Sequence, residues 1–191
     1  YNTSIGYNSL TANTTADANT ALGYKTLENN VDGTSNVAVG AYALDANTSA
    51  DNNTAVGHAA LGANTTGSNS TAVGSDALLS NTTGVQNNAF GRQALDANTT
   101  GNHNNAFGVN TLGANTTGGS NSGFGRGALQ SNTTASNNTA VGSEAFRDNT
   151  TGSFSTAIGS LSLFESTTGS GNTALGRRAL QENTTASNNT G

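Results

Sequence analysis

Few residues of this chain are of a type that does chemistry, and their spacing brings none of them into a recognisable constellation. The chain has eleven acidic residues, six basic residues, two histidines and no cysteine. The acidic residues are spread along it and form no recurring pair, whereas acid and base catalysis by carboxylates needs two that converge. His58 and His103 stand 45 residues apart at non-equivalent positions, so we do not expect them to share a metal ion.

Two site types built on aspartate or glycine are also disfavoured. Calcium-binding nonapeptide repeats need Asp in every repeat, and Asp is too sparse here. The run Gly169-Ser170-Gly171 is not followed by the Lys of a phosphate-binding loop. We therefore predict no catalytic, cofactor-binding or metal-binding residue, and we interpret the chain as non-enzymatic.

Composition excludes several partners. The net charge is −5 and the six basic residues form no cluster, so neither nucleic acid nor an anionic membrane surface is an expected partner. No run of 18 apolar residues is present, so we expect no membrane-spanning segment. Only 9% of residues are charged and Pro is absent, which resembles a low-complexity chain. The strictly regular placement of the apolar residues nevertheless disfavours disorder.

The elements that would have to position any site are set by an internal repeat of 17 residues. One glycine follows an apolar residue at every such interval, and we call these eleven residues the anchor glycines: Gly6, Gly23, Gly40, Gly57, Gly74, Gly91, Gly108, Gly125, Gly142, Gly159 and Gly176. No insertion or deletion interrupts the copies, as stacked coils require. The array begins and ends within a copy, so we interpret residues 1–191 as a single repeat array and a fragment of a longer fibrous protein.

Two columns of large apolar residues, each column being one position followed through all copies, accompany the anchor glycines. The column directly before the glycine contains Ile5, Leu22, Val39, Val56, Val73, Phe90, Phe107, Phe124, Val141, Ile158 and Leu175. The column four places after it contains Leu10, Leu27, Leu44, Leu61, Leu78, Leu95, Leu112, Leu129, Phe146, Leu163 and Leu180. We predict both columns to be core. Small residues precede both columns in every copy.

A period of 17 residues predicts an all-β parallel solenoid of about eleven coils. It is too short for a helix with a returning segment, whereas two short strands joined by tight turns fit. Coils stacked by parallel pairing at about 4.7 to 4.9 Å would make a rod on the order of 50 Å long. The anchor glycine is explained if its φ is positive or if a Cβ has no space there. Asn columns four places before and seven places after it, with Ser166 as an exception in the second, are expected to form hydrogen-bonded ladders.

The small residues beside the large columns suggest a second buried contact. Adjacent residues of a strand face opposite sides, so a strand such as Ala55-Val56 is apolar on both. We therefore expect the Ala-lined side to be covered as well, by several chains wrapped around one axis. Where Phe124 occupies the large column its neighbour is Gly123 instead of Ala, which suggests a local compensation of volume.

The charged residues mark the columns that must face water. Sixteen of the seventeen lie one, two, five, six or eleven places after an anchor glycine, and Asp32 is the exception. These columns vary most between copies, so either they are an unconstrained solvated face or they carry the specificity of a binding surface. Asn-x-Thr sequons recur, for example at Asn64 and Asn81, and we interpret them as turn chemistry that matches a glycosylation pattern.

Short phrases of the repeat resemble a known family. Asn36-Val37-Ala38-Val39-Gly40 and Ser155-Thr156-Ala157-Ile158-Gly159 resemble the head repeats of the YadA-like trimeric autotransporter adhesins. They are also similar to the Asn-Thr-Ala-Val-Gly repeats of phage and bacterial fibre proteins. The resemblance implies a left-handed parallel β-roll in which three chains form a head that attaches to matrix or host surfaces. The repeat length differs: it is usually about 14 residues in the family and 17 residues here.

The sequence thus favours a non-enzymatic adhesive or structural fibre module that gains avidity from many weak contacts. The expected partners are further copies of the chain, as a homotrimer or filament, and a host-surface protein or glycan. The expected location is extracellular, on a cell surface or on a virion. Two alternatives remain: a phage tail-fibre shaft or receptor-binding segment, and an ice-binding solenoid. The second is disfavoured because adjacent Thr65 and Thr66 would point to opposite sides of an extended segment.

Overall fold

The chain forms one all-β solenoid, which a computed structural model describes over all 191 residues. Eleven strands pair in parallel and in chain order into one sheet, which gives about ten turns. The strands are β1 (Thr3–Ile5), β2 (Thr20–Leu22), β3 (Val37–Val39), β4 (Thr54–Val56), β5 (Thr71–Val73), β6 (Asn88–Phe90), β7 (Asn105–Phe107), β8 (Ser122–Phe124), β9 (Thr139–Val141), β10 (Thr156–Ile158) and β11 (Thr173–Leu175). The predicted parallel β-solenoid is therefore confirmed.

Every coil repeats the previous one in register. Between β4 and β5, for example, Thr54 pairs with Thr71 and Val56 with Val73, a shift of one 17-residue period. The prediction of two strands per coil was wrong, because each coil has a single three-residue strand followed by consecutive turns. Residues two and four places after the anchor glycine have positive φ, as at Ala59 (52°) and Leu61 (52°). Left-handed residues at alternate positions prevent an extended segment.

The anchor glycines have the backbone conformation that the sequence predicted. Their φ angles lie between 120° and 141°, a region that L side chains rarely adopt. A Cβ placed on Gly57 would also lie 2.5 Å from the carbonyl oxygen of Gly74, its equivalent in the next coil. Both the dihedral angle and the close approach of successive coils therefore require glycine.

The core lies inside the coil and is built from small residues and leucine. The column four places after the anchor glycine is buried, with Leu44, Leu61 and Leu78 at 0% exposure, and its prediction as core is confirmed. The central residue of nine strands is Ala, and it is buried in all nine. The column directly before the glycine is not: Phe107 is 37% exposed and Ile158 40%. The expected orientation was wrong, because the Ala side of the strand faces the interior and the large residues point outward.

The glycine at position 123 compensates for a different residue than the sequence suggested. Phe124 points outward, whereas a Cβ on Gly123 would lie 2.6 Å from Cγ2 of Thr111 in the interior. Thr111 occupies a column that is mostly Ala and is fully buried. The methyl group of Thr111 thus fills the space that an alanine at position 123 would take.

This pairing makes the effect of Gly123→Ala depend on residue 111. We expect Gly123→Ala alone to be neutral or destabilising, and to stabilise the chain by about 0.5 to 1 kcal/mol when Thr111→Ala is also present, because alanine restricts the unfolded chain. A double-mutant cycle measured by urea denaturation would give the coupling between the two sites. Additive effects would contradict the packing described here.

Two ladders of buried asparagines hold successive coils together, as predicted. In the ladder seven places after the anchor glycine, Asn98 Nδ2 donates to Asn81 Oδ1 (2.8 Å) and to the Gly101 carbonyl (3.0 Å). In the ladder four places before the anchor glycine, the backbone N–H of Asn53 donates to the side-chain Oδ1 of Asn36 (2.9 Å). These side chains are fully buried, so each bond satisfies a polar group that has no access to water.

Ser166 stands where the ladder seven places after the anchor glycine would have Asn, and it leaves a gap in that ladder. Ser166 is fully buried and its Oγ has no hydrogen-bond partner, whereas the equivalent Asn149 donates to Asn132 Oδ1 (2.8 Å) and to the Gly152 carbonyl (3.0 Å). We expect Ser166→Asn to stabilise the chain by about 1 kcal/mol, because it supplies the missing donors and acceptor. Urea denaturation would measure this change, and Ser160→Asn, on the partly exposed turn side, provides a control expected to be neutral. A destabilised Ser166→Asn variant would show that the coil has no room for the amide.

Candidate functional site

The outer side of the sheet forms a continuous surface that we call the strand face. It consists of the side chains three places and one place before each anchor glycine, such as Thr71 and Val73 in β5. The second of these columns is apolar in all eleven coils; none of its members is buried, and exposure reaches 71% at Leu175. No charged residue belongs to the strand face. The surface is therefore an uncharged strip along the whole rod, in which an apolar column runs beside a column of mostly Thr, Asn and Ser.

The size of the strip exceeds that of scattered surface hydrophobics. Eleven coils at about 4.8 Å and a three-residue strand at about 3.3 Å per residue give a strip on the order of 50 Å by 10 Å. Contiguous apolar patches of a few hundred Å² on soluble proteins commonly mark interaction sites. The strand face is accordingly the leading candidate for a binding surface.

Aromatic stacking organises the middle of the strand face. Phe107 stacks on Phe90 at 4.8 Å and on Phe124 at 5.1 Å between ring centroids, with planes within 8° of parallel. Because each ring covers a face of its neighbour, the three residues present their edges outward. This ordered block is flanked by valine on both sides, at Val73 and Val141.

The turns carry most of the charged residues on a second surface, which we call the turn face. It comprises the columns one, two, five and six places after the anchor glycine. None of the seventeen charged residues is buried, so the prediction that they face water is confirmed. Arg126 contacts Glu144 of the next coil, and Arg147 Nε donates to Asp148 Oδ1 of its own coil at 2.8 Å. The Arg147 guanidinium also lies 3.9 Å from the ring centroid of Phe164, a cation–π contact.

An exposed aromatic ladder occupies the first four coils of the turn face. Tyr7 stacks on Tyr24 at 5.6 Å, Tyr24 meets Tyr42 edge to face at 5.3 Å, and Tyr42 meets His58 at 6.0 Å. Residues 1–80 contain one Lys and six acidic residues, whereas the later residues contain five Arg and five acidic residues. All of the net negative charge therefore lies in the half of the chain that carries the aromatic ladder. Sequence reasoning missed this ladder, because Tyr42 is shifted by one column from Tyr7 and Tyr24.

The surroundings of four turn-face side chains raise their pKa values. Burial raises the pKa of Asp45 and that of Asp96, because partial removal from water disfavours the charged carboxylate. The hydrogen bond from Lys25 to Glu28 raises the pKa of Lys25, and the hydrogen bond to Asp148 raises the pKa of Arg147. Each shift is explained by a local neighbour or by burial.

The histidines and the sequons lie where the repeat places them. His58 Nδ1 is 3.5 Å from Asp76 on the turn face, whereas His103 lies exposed in the bend before β7, so the structure does not bring the two histidines together. Asn64 and Asn81 are fully buried ladder residues. This supports the interpretation of these sequons as turn chemistry, because Asn64 Nδ2 donates to the Gly67 carbonyl within its coil and both side-chain amides also donate to the equivalent Asn of the preceding coil.

The structure defines the class of protein as a repeat protein with a parallel β-roll, a β-solenoid of 17-residue coils. No protein-family model, no curated protein and no solved structure matches the chain. No helix with the length and apolar character of a membrane span is present.

Proposed function

We propose that this chain is a non-enzymatic structural and adhesive module of an extracellular fibre, carried on a bacterial cell surface or on a virion. In this proposal copies of the chain associate through the strand face, and the turn face contacts a host-surface glycan or protein. The observation that carries the proposal is the strand face itself, whose large column is apolar in all eleven coils and unburied in the single chain. Single exposed apolar residues are normal on a protein surface, whereas a contiguous apolar column through every coil is typical of an interaction surface.

The number and arrangement of copies come from the family resemblance. The strand phrases resemble the YadA-like heads, and the proposal is accordingly a homotrimer of left-handed β-rolls around one axis. A strip of about 500 Å² per chain is smaller than the roughly 800 Å² per partner of a standard interface. The columns flanking the strand face would therefore have to contribute to each contact.

Assembly is tested by mass in solution. Light scattering and native mass spectrometry are expected to give three times the mass of one chain. Phe107→Glu is expected to yield monomers, because a carboxylate would be buried in the interface without a partner. Val109→Glu is the matched control, since Val109 is 40% exposed but lies on the turn face, and it should leave the trimer intact. A soluble wild-type monomer at micromolar concentration would overturn the proposal.

Adhesion is tested separately with the assembled protein. Binding of the trimer to arrays of host-surface glycans and matrix proteins is expected to be strongly multivalent, and the monomeric Phe107→Glu variant is expected to lose most of it. Substitution of Tyr7, Tyr24 and Tyr42 by Ser would show whether the aromatic ladder supplies the contact. Equal binding by trimer and monomer would contradict attachment through avidity.

Ice binding is a second candidate that one observation favours. The strand face carries Thr three places before the anchor glycine in seven of eleven coils, all on one side of the sheet. Thr65 and Thr66, whose expected opposite directions disfavoured ice binding, belong to other columns. Asn88, Asn105 and Ser122 interrupt the Thr ladder, so we expect no thermal hysteresis, and a clear hysteresis would favour this candidate over assembly.

A further inference from the structure

The two columns of the strand face change together. In the eight coils whose outward apolar residue is Val, Ile or Leu, the residue two places earlier is Thr or Val. In the three coils that carry phenylalanine instead, that residue is Asn or Ser. These six residues, which we call the phenylalanine block, are Asn88, Phe90, Asn105, Phe107, Ser122 and Phe124. The block is continuous, and Asn88 Nδ2 donates to Asn105 Oδ1 across it at 2.9 Å.

Stacking within the single chain explains the run of phenylalanines but not the change from Thr to Asn or Ser beside them. Aromatic and β-branched residues are favourable neighbours in sheets, so phenylalanine does not exclude threonine beside it. The register between successive coils is fixed by the covalent chain and by pairs such as Asn88 with Asn105 and Phe90 with Phe107. The outward rings are 37% to 41% exposed and support no residue of the interior.

Between separate copies of the chain, register is a real problem. Two rods with a 17-residue repeat can slip by one coil and regain almost the same contacts, because Val56 and Val73 are equivalent. Strands without a distinguishing feature are prone to such slippage. A unique alignment needs residues whose mismatch is unfavourable, and this is how specific assemblies exclude alternatives.

We propose that the phenylalanine block is the register element of the assembly, which holds the parallel copies of the proposed trimer at equal height. This inference rests on the proposed association of copies through the strand face. In aligned copies each phenylalanine level meets phenylalanine, and each Asn or Ser level meets its equivalent. A slip of one coil would set Phe90 against Val73 and Phe124 against Val141, which leaves one level overfilled and another underfilled.

Cysteine cross-linking reads the register directly, because the chain has no cysteine of its own. Thr54→Cys and Thr71→Cys place single thiols on the strand face of adjacent coils. When the two variants are co-expressed with different mass tags, links between equal positions should exceed links between positions 54 and 71 by about tenfold or more, a ratio that corresponds to about 1.4 kcal/mol for the mismatch. A two-fold antiparallel arrangement centred on Phe107, which would also set phenylalanine against phenylalanine, would instead give no links between equal positions and would overturn the inference.

Moving the block supplies the decisive variant. A chain with Asn88→Thr, Phe90→Val, Thr139→Asn and Val141→Phe carries the block one coil later. When this moved-block chain is co-expressed with a chain that keeps the wild-type block, links between positions 54 and 71 should exceed links between equal positions. Thr54→Cys in the wild-type-block chain should now link to Thr71→Cys in the moved-block chain. The moved-block chain alone should keep links between equal positions, which controls for folding and assembly.

The outcomes separate the two proposals. If no chains associate, the proposed function fails. If chains associate but the mixture of wild-type and moved blocks still links equal positions, the assembly stands and the phenylalanine block is not its register element. Links between many levels in the wild type would overturn the inference in the same way.

Discussion

Gly91→Ala is expected to destabilise the chain by about 3 kcal/mol or more, although it adds only one methyl group. Gly91 has a φ of 138°, and a Cβ placed there would lie 2.5 Å from the Gly108 carbonyl oxygen and 2.6 Å from its carbonyl carbon. The obstacle is backbone, which cannot rotate away. The coils would have to separate locally or the strand would have to shift, and either change breaks β-pairing and the asparagine ladders beside it.

Two further glycines separate the causes of this loss. Gly176 has a φ of 127°, but no atom lies within 4 Å of the position that a Cβ would take, so Gly176→Ala isolates the dihedral strain. Gly119 has no positive φ, and a Cβ there would have one tight contact, 3.1 Å from the Asn102 carbonyl oxygen, which a small shift can relieve, so Gly119→Ala should cost far less than Gly91→Ala. Urea denaturation followed by circular dichroism at one protein concentration would rank the three variants. Equal losses at positions 91 and 119 would contradict the role of the anchor glycines.

Stacked repeats give this experiment a second readout. Each coil contacts only its neighbours, so a disrupted coil in the middle can divide the array into two parts. Hydrogen exchange should then show loss of protection centred on β6 and β7 for Gly91→Ala, and only at the last coil for Gly176→Ala.

The periodic features of the fold were predictable from the sequence because each recurs in all or nearly all of the eleven copies. The anchor glycines, the buried leucine column and the asparagine ladders each follow from a residue type that one backbone or hydrogen-bonding requirement explains. Gly91, Leu95 and Asn98 are one such set within a single coil. Repetition turns a weak local preference into a reliable indication.

The orientation of the strand was not predictable in the same way. Ala72 and Val73 are adjacent and both apolar, so alternation alone does not say which of them points inward. The larger residue was expected inside, but the interior already holds the large column four places after the anchor glycine, and the strand packs its Ala against that column. A signal was present in the sequence: the Ala position is restricted to small residues, whereas the position beside it accepts Val, Ile, Leu and Phe. Variation in size indicates a surface that the tight interior does not constrain.

The left-handed backbone of the turns was also not predictable from the sequence. A second strand was predicted in each coil because two short strands joined by tight turns fit a period of 17 residues. In the structure Leu78 has a φ of 52° and Asp76 a φ of 58°. Leucine is not a residue that sequence rules associate with left-handed backbone, so local propensity gave no indication of this conformation.

Leu78→Ala is expected to destabilise the chain by about 3 kcal/mol, within the range for leucines buried in a rigid core. Its side chain is fully buried in the narrow interior, where the small residues around it have little ability to fill the cavity. The next residue provides the control, because Leu79 is 36% exposed on the turn face and its truncation should cost well under about 1 kcal/mol. Two neighbouring leucines, changed in the same way, thus report on opposite sides of the coil.

The comparison can be made independent of assembly. Measuring both variants in the Phe107→Glu background removes the proposed contact between copies, so that the free energy of unfolding refers to one solenoid. The difference between Leu78→Ala and Leu79→Ala should persist there, since it arises inside the coil. If the two variants were equally stable in that background, Leu78 would not be a core residue and the interior described here would be wrong. If the difference appeared only in the assembled protein, the burial of Leu78 would depend on neighbouring chains rather than on its own coil.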